Sequence, residues 1–236
     1  MHLPADPSEP PSEEPPQARV SGRTSLLLAF LPVVASLAVY ATTVTDHFIL
    51  NDEILRTKRA EIEVLDPQRV FFLNYLVPER ADRQYRPLTF STYAINFRFG
   101  EGAWSFHLVN VLLDAVVALV AYLLLLELLR DARAAAIAAA LYVVLPVRTE
   151  AVASILGRAE ILSGLAILGT WLLSLRSFRT SPAGDGRHES LWVVFAAGAV
   201  TLAGAFANES AAGVIPLVIV AGTWLARRPV PWLTVA

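Results

Sequence analysis

The chain has 236 residues, of which 55% are hydrophobic and only 17% are charged. A soluble domain carries roughly 25% charged residues, so this composition argues against an ordinary water-soluble globule. The net charge of −2 argues against a nucleic-acid partner held by bulk charge, and the lack of cysteine excludes disulfides, thiolate metal sites and thiol nucleophiles. Because the apolar residues are clustered, we expect the length to be divided into membrane spans.

Residues 1–23 are predicted to form a disordered cytoplasmic tail. Six prolines and four acidic residues fall within the first 16 positions. Such a segment has too little apolar surface to offset the entropy that it loses on ordering. A proline-rich ligand for a partner domain is the alternative interpretation.

Six apolar stretches follow the tail and predict an all-α, polytopic transmembrane helix bundle. The first has 22 residues without a charge, enough at about 1.5 Å per residue to cross a hydrocarbon core of roughly 30 Å. The third is short enough to be a re-entrant segment instead. The stretches are Thr24–Thr45, Phe106–Leu129, Ala134–Val147, Ile161–Leu175, Leu191–Ala207 and Ala211–Ala226. Residues 233–236 resemble the start of a seventh span, so we expect the domain 24–236 to be incomplete at its carboxyl end, either as the amino-terminal part of something longer or as a truncated product.

Residues 46–105 are polar and predict a structured first loop outside the bilayer. In Glu53–Leu65 the apolar residues fall near one face of a helix, which suits a helix on the membrane surface. Pro67 is predicted to open a second short helix, because proline is favoured at a first helical position. Its Phe71, Phe72 and Tyr75 are typical anchors at a headgroup interface.

The distribution of basic residues predicts the orientation. With six spans and a cytoplasmic amino terminus, nine arginines fall in the cytoplasmic segments and two in the short outer ones. This is the bias that the positive-inside rule describes, and it favours the third stretch as a span. We therefore expect an integral membrane protein whose active side is periplasmic or extracellular. The richness in alanine and arginine favours a bacterial inner membrane.

This topology gathers the polar residues toward the outer side. His107, Asn110 and Asp114 are spaced i, i+3, i+7 and share one helical face. A carboxylate as deep as Asp114 costs roughly 2.5–3.5 kcal/mol on insertion scales, so it should face protein or water. Structural roles are the alternative, since Asp52 could simply cap a helix that begins at Glu53. The candidate residues are Asp52, Glu53, Arg86, His107, Asn110, Asp114, Arg148, Glu150, Arg158, Glu160 and Glu209.

Several motifs resemble one known family in their order. They are Asn51-Asp52-Glu53, Tyr85-Arg86-Pro87-Leu88-Thr89, Phe106 to Leu113, Pro146 to Ala153, and Gly157-Arg158-Ala159-Glu160. Over about residues 25–226 the chain resembles the membrane part of the transmembrane and tetratricopeptide-repeat O-mannosyltransferases and their bacterial relatives, which are GT-C glycosyltransferases. It departs from them at Leu145, Arg148 and Asp114, where the family often has histidine. Asn208 stands where a lysine is common.

The resemblance implies an inverting transfer of a sugar, foremost mannose, from a polyprenyl-phosphate donor to a hydroxyl of a protein or other acceptor, a glycan included. It implies Asp52 as the base, with Glu53 assisting. Arg86, Arg148 and Arg158 are the candidates for binding the donor phosphate, because a guanidinium offers two parallel hydrogen bonds. Arg158 is the foremost of the three, because its Gly-Arg-Ala-Glu motif is intact. The supporting residues are His107, Asn110, Asp114, Glu150, Glu160 and Glu209.

Partners and cofactors follow from the same resemblance. The polyprenyl chain would lie between spans, in contact with membrane lipid. No resident cofactor is expected; carboxylates and asparagine could hold a divalent metal, although no spacing predicts a metal site. Two other classes stay open. One is an inactive or accessory membrane module, and the other is a small transporter with Asp114 as a coupling-ion site.

Overall fold

The computed structural model describes residues 22–45, 47–48, 52–57, 59–63, 85–180 and 187–215. Within these ranges the secondary structure is helical and contains no strand, as the composition predicts. Three predictions lie wholly or mostly outside the described residues. They are the disordered tail (all but residues 22–23), the second short helix after Pro67, and the part of the chain beyond residue 215 that holds most of the sixth stretch and the start of a seventh.

The helices of the described residues are numbered in chain order. They are α1 (Gly22–Tyr40), α2 (Glu53–Thr57), α3 (Arg59–Ile62), α4 (Pro87–Phe99), α5 (Ala103–Leu129), α6 (Ala132–Val143), α7 (Val147–Ala153), α8 (Arg158–Thr180) and α9 (Arg187–Ala207). Two short 3-10 helices, Ala41–Thr43 and Glu209–Gly213, follow α1 and α9.

Among the described residues, three helical segments are long and apolar enough to cross a membrane. They are Thr24–Thr43, Ala103–Leu129 and Arg158–Arg176, and they match the first, second and fourth predicted stretches. The pair α6 and α7 adds a fourth if it is one broken span. The apolar part of α9, Trp192–Ala207, is shorter. The membrane bundle is therefore confirmed, whereas the count of six spans is not.

The third predicted stretch is interrupted by a bend. Helix α6 ends at Val143, α7 begins at Val147, and the two axes differ by 68°. Pro146 explains the break, because proline has no N–H to donate and its ring clashes with the carbonyl four residues before it. A broken span and a re-entrant loop both fit this geometry. In either case the break places Arg148 inside the bundle.

Close helix contacts in the bundle depend on small residues. Ala29 of α1 packs with Ala135, Ala136 and Ala139 of α6 around Tyr122. A Cβ on Gly204 of α9 would overlap the Cβ of Ala166 in α8. Small residues let helix backbones approach closely inside a membrane, where water supplies no hydrophobic driving force. The opposite face of α1 exposes large apolar side chains, as expected for a surface against lipid: Leu26, Leu27, Phe30, Leu31 and Val34.

The predicted amphipathic helix of the first loop differs from the structure in length and in surroundings. It consists of two short helices, α2 and α3. Leu55 and Ile62 are buried against the aromatic cluster of α4 and α5, which includes Phe97 and Phe106. Leu55 and Ile62 therefore face protein, where the sequence predicted a membrane surface.

Candidate functional site

Residues 154–158, between α7 and α8, form a turn to which distant parts of the chain are bonded; we name it the clamped turn. Asp52 is fully buried against it. One carboxylate oxygen of Asp52 accepts from the Ser154 hydroxyl at 3.0 Å and the Leu156 N–H at 3.1 Å. The other accepts from the Ile155 N–H at 2.9 Å. Both oxygens are therefore occupied by the turn.

Asn110 and Tyr93 hold the carbonyl side of the clamped turn. The Asn110 amide donates to the carbonyl oxygens of Ser154 at 2.9 Å and Ile155 at 3.4 Å. The Tyr93 hydroxyl donates to the Ile155 carbonyl at 2.9 Å. Burial raises the pKa of Tyr93, so this hydroxyl keeps its proton and stays a donor. Gly157 is required sterically, because a Cβ there would overlap the backbone of Ala151.

Arg158 ends the clamped turn and is fully buried. Its guanidinium donates to the side-chain oxygens of Asn110 at 2.8 Å and Asn96 at 3.0 Å, and to the Phe106 carbonyl at 3.0 Å. It also lies 4.8 Å from the ring centre of Tyr93 and 5.6 Å from that of Phe106. Its partners among the described residues are neutral. Arg158 therefore faces the interior of the bundle and not an open surface.

A second arginine, Arg148, lies at the break between α6 and α7, and its side chain is 12% exposed. Arg148 forms an ion pair with Asp114, which is fully buried in α5. The other Asp114 oxygen accepts from the Ser36 hydroxyl of α1 at 2.7 Å. The Arg148 guanidinium lies 4.4 Å from the ring centre of Tyr142. Asp114 thus faces protein, one of the two surroundings that its depth predicts, and the charge of Arg148 is matched.

The remaining polar residues form a third group, the outer cluster, made of Arg86, Glu150, Glu160 and Glu209. Arg86 precedes α4 and lies 3.4 Å from the exposed carboxylate of Glu209. The pKa of Glu209 is lowered by its own backbone N–H and, further, by Arg86. Glu160, exposed on the first turn of α8, interacts electrostatically with the other three. The Asn208 amide donates to Glu160 at 3.5 Å.

Two further predicted residues lie outside these three groups. His107 is fully buried and its Nε2 donates to the His47 carbonyl at 3.1 Å. Glu53 is half exposed and pairs with Arg56, one turn along its own helix, at 2.6 Å. Among the described residues, no group of three or more histidine or acidic side chains is placed to hold a metal ion.

The structure thus separates residues that the sequence grouped together. The three arginines that are candidates for the donor phosphate have different partners: Glu209 for Arg86, Asp114 for Arg148, and neutral oxygens for Arg158. Sequence reasoning also missed Tyr93 and Asn96. They are polar positions one turn apart on α4, and this spacing was the available signal.

Comparison with known proteins identifies relatives. The chain is 32% identical over 146 residues to protein O-mannosyl-transferase TMTC3 of Homo sapiens, covering 59% of this chain and 16% of that protein. It is 30% identical over 181 residues to Tmtc2 of Drosophila melanogaster (73% and 19%) and 31% identical over 183 residues to TMTC1 of Mus musculus (74% and 19%). The chain is a relative of the TMTC protein O-mannosyl-transferases. The resemblance in the motifs is thereby confirmed.

The similarity covers a small part of each TMTC relative. The chain spans between 16% and 19% of the length of these three TMTC relatives. No family model matches the chain, and no solved structure matches it.

Proposed function

We propose that the chain belongs to a GT-C-type membrane glycosyltransferase that moves mannose from a polyprenyl-phosphate donor to a hydroxyl of a protein or other acceptor, with inversion. The similarity to proteins named O-mannosyl-transferases, over as much as 74% of this chain, carries the proposal. Helices long and apolar enough to cross a membrane fit a donor whose polyprenyl chain lies in lipid. The bias of arginines supports an outer, periplasmic or extracellular, site. The richness in alanine and arginine supports a bacterial inner membrane as its location.

Arg86 is the best-placed of the three arginines for the donor phosphate. Arg148 is matched by Asp114, and Arg158 is enclosed in the bundle. In the described part of the chain Arg86 has only the long contact with the exposed Glu209 carboxylate. Among the described residues the Nε atoms of Arg86 and Arg148 both lack a hydrogen-bond partner, so it is the weak pairing of its charge that distinguishes Arg86. Because the Glu209 carboxylate is exposed and the contact is long, a phosphate could replace Glu209 at Arg86.

The transfer can be tested in membranes from the source cells, which hold the native product at its full length. Membranes are incubated with radiolabelled polyprenyl-phosphate mannose and a Ser/Thr-rich peptide, with and without a chelator to test metal dependence. We expect labelled peptide, and a donor KM raised about tenfold by Arg86→Gln, since a charge-assisted bond to phosphate contributes about 1.5 kcal/mol. The matched control is Arg98→Gln, which removes an exposed arginine at the other end of α4.

Membranes from cells that lack the gene set the background of this assay. If wild-type membranes transfer no more label than this background, the proposal fails. If Arg86→Gln and Arg98→Gln raise the donor KM equally, Arg86 has no special role at the phosphate.

An accessory or inactive module is the second candidate. The observation that favours it is the clamped turn, because structural contacts alone account for Asp52, Asn110 and Arg158. Background transfer by wild-type membranes that contain the folded protein would support this candidate. A transporter is not favoured, since Asp114 is already matched by Arg148 and Ser36 and is not an open site for a coupling ion.

A further inference from the structure

Resting on the proposed function, and on Asp52 as the base that the resemblance implies, we propose that Ser154 is a positioning residue for the transfer. Its hydroxyl holds one oxygen of the Asp52 carboxylate, Oδ1, and leaves the other oxygen, Oδ2, to accept the proton of the acceptor hydroxyl. Ser154 belongs to the clamped turn and is not among the candidate residues of the sequence. The hydrogen bonds to the two carboxylate oxygens and the support of the turn favour this role.

The two oxygens of the Asp52 carboxylate are held unequally. Oδ1 accepts two hydrogen bonds, from the Ser154 hydroxyl at 3.0 Å and from the Leu156 N–H at 3.1 Å. Oδ2 accepts one hydrogen bond, from the Ile155 N–H at 2.9 Å. An ionised carboxylate offers about four acceptor sites, two on each oxygen. Within the described residues, Oδ1 is therefore filled, whereas Oδ2 keeps one site for a further donor.

The Ser154 hydroxyl is the donor that creates this inequality. Without it, each oxygen would accept one backbone N–H of the turn, and each would keep one open site. The torsion that turns a carboxylate has a broad and roughly two-fold profile, so two backbone donors define its plane less sharply than three donors do. We infer that the hydroxyl fixes the plane of the carboxylate and the direction of the open site on Oδ2.

Ser154 can hold the carboxylate because its own position in the turn is fixed. The Asn110 amide donates to the Ser154 carbonyl at 2.9 Å. The side-chain oxygen of Asn110 in turn accepts from the buried Arg158 guanidinium at 2.8 Å, which sets the orientation of that amide. A rigid support matters for a base, because a misplacement of about 1 Å can cost about 100-fold in rate.

The step balances without a further reactant. The acceptor oxygen forms a bond to the anomeric carbon of the sugar as the bond from that carbon to the phosphate oxygen breaks. The phosphate leaves with the bonding electron pair, and Arg86 matches its charge. The hydroxyl proton passes to Oδ2 of Asp52. The Ser154 hydroxyl keeps its own proton and donates to Oδ1 throughout.

Ser154→Ala tests the role in the same membrane assay, with rates divided by the amount of the protein in the membranes. We expect kcat to fall about tenfold, the contribution of one hydrogen bond to a charged group. The donor KM should stay within about threefold of wild type, because the hydroxyl orients the base and does not bind the donor. A disturbance of the whole site would raise the donor KM as well.

Two further serine variants show whether the hydroxyl itself is responsible. Ser154→Thr keeps a hydroxyl at this position and should keep kcat within about threefold of wild type. The matched control is Ser25→Ala, which removes a hydroxyl that is bonded to the Tyr122 hydroxyl at 2.9 Å. Ser25 lies near the start of α1, whereas Asp52 follows the end of that helix. This control should leave kcat unchanged.

The outcomes separate this role from the proposed function. Transfer at background in wild type ends the proposed function itself. Transfer in wild type with a wild-type kcat in Ser154→Ala overturns the role of Ser154 alone. An equal loss of kcat in Ser154→Ala and Ser154→Thr, or a donor KM that rises as much as kcat falls, overturns it as well.

Two remaining variants complete the test. Asp52→Asn should bring transfer close to the background. A wild-type kcat in Asp52→Asn would show that Asp52 is not the base, and the role of Ser154 would fall with it. If Ser154→Ala does not accumulate, Ser154→Cys takes its place, since a thiol is a weak donor. An unchanged kcat in Ser154→Cys overturns the role, and a lowered kcat with an unchanged donor KM supports it.

Discussion

Arg148 precedes the clamped turn and Arg158 ends it, and the charges of the two arginines are compensated in different ways. Arg148 is paired with one carboxylate, Asp114, which a hydroxyl of α1 also holds. Arg158 is surrounded by neutral oxygens from α4 and α5 and by two aromatic faces. The charge of Arg148 is therefore compensated by a single carboxylate, whereas the guanidinium of Arg158 is held by several neutral groups.

The difference shows what each arginine can contribute to the bundle. A buried ion pair can be replaced as a pair, because removing both charges leaves neither one uncompensated. A guanidinium that donates to several neutral acceptors cannot be removed together with one partner, since its loss leaves each of the acceptors without a donor. We infer that Arg148 links α1, α5 and α7 pairwise, whereas Arg158 organises the junction of α4, α5 and the clamped turn.

The largest expected effect is that of Arg158→Leu. The substitution leaves the oxygens of Asn110, Asn96 and Phe106 without this donor in a buried site. Each unsatisfied buried group costs about 1–3 kcal/mol, so the free energy of unfolding should fall by on the order of 5 kcal/mol. Reversible unfolding in mixed micelles by sodium dodecyl sulfate measures it.

Arg158→Lys is the matched control for that variant. Lysine keeps the charge but cannot reach oxygens in three directions with a planar fork, so its loss should be intermediate. If Arg158→Leu unfolds within about 1 kcal/mol of wild type, the distributed network does not stabilise the fold, and the contrast with Arg148 is wrong.

A smaller effect is expected from Asp114→Asn, which leaves the Arg148 charge buried without its counter-ion. Breaking a buried pair in this way costs about 3–5 kcal/mol. The double variant Asp114→Asn/Arg148→Gln should recover part of the loss, with a coupling energy of about 1–3 kcal/mol in a double-mutant cycle.

The exposed pair of Glu53 and Arg56 is the control for this cycle. Its coupling should stay below about 0.5 kcal/mol, because water screens an exposed pair on a helix. Strict additivity of Asp114→Asn and Arg148→Gln would show that the two charges do not depend on each other, which contradicts the pairing.

The sequence predicted the helices of the bundle better than it predicted the contacts between side chains of different helices. The lengths of α1, α5 and α8 follow from long runs with few charges, and Pro146 accounts for the bend that the apolar pattern did not show. Helical spacing predicts neighbours within one helix, but it does not predict which helices meet. The pairing of Asp114 with Arg148, 34 positions apart, was therefore out of reach.

Asp52 illustrates the same limit at the site. As an alternative to the role of base, the sequence allowed this carboxylate to cap α2, its own helix. In the structure it does accept backbone N–H groups, but those of Ile155 and Leu156, 103 and 104 positions away. The chemistry of a cap was predictable from an aspartate before a helix, whereas its partner depends on the tertiary fold.

Positions 114 and 148 connect the resemblance with the structure. Both depart from the histidines that are frequent in the family, and on the sequence they counted as separate departures. In the structure Asp114 and Arg148 are in contact, so their opposite charges compensate each other. The ion pair is therefore a feature of this chain that residue-by-residue transfer from the family would miss.

The smallest effect is expected from Gly157→Ala, which tests whether the clamped turn keeps the two arginines in separate surroundings. The new Cβ would overlap the backbone of Ala151, so the turn must shift, at a cost of about 1–3 kcal/mol. Gly164→Ala is the matched control in α8, because nothing lies within 4 Å of its new Cβ. That control should be neutral or stabilise by up to about 1 kcal/mol, since alanine favours a helix over glycine.

The two glycine variants decide between a rigid and a yielding turn when their unfolding is compared in the same micelles. A rigid turn transmits the shift to Arg158, whose bonds to Asn110 and Asn96 have fixed directions. It should affect the Asp114–Arg148 coupling energy little, because that pair does not involve the turn. Equal stability of Gly157→Ala and Gly164→Ala would mean that the turn yields freely, and the surroundings of Arg158 would then have to be fixed by α4 and α5 alone.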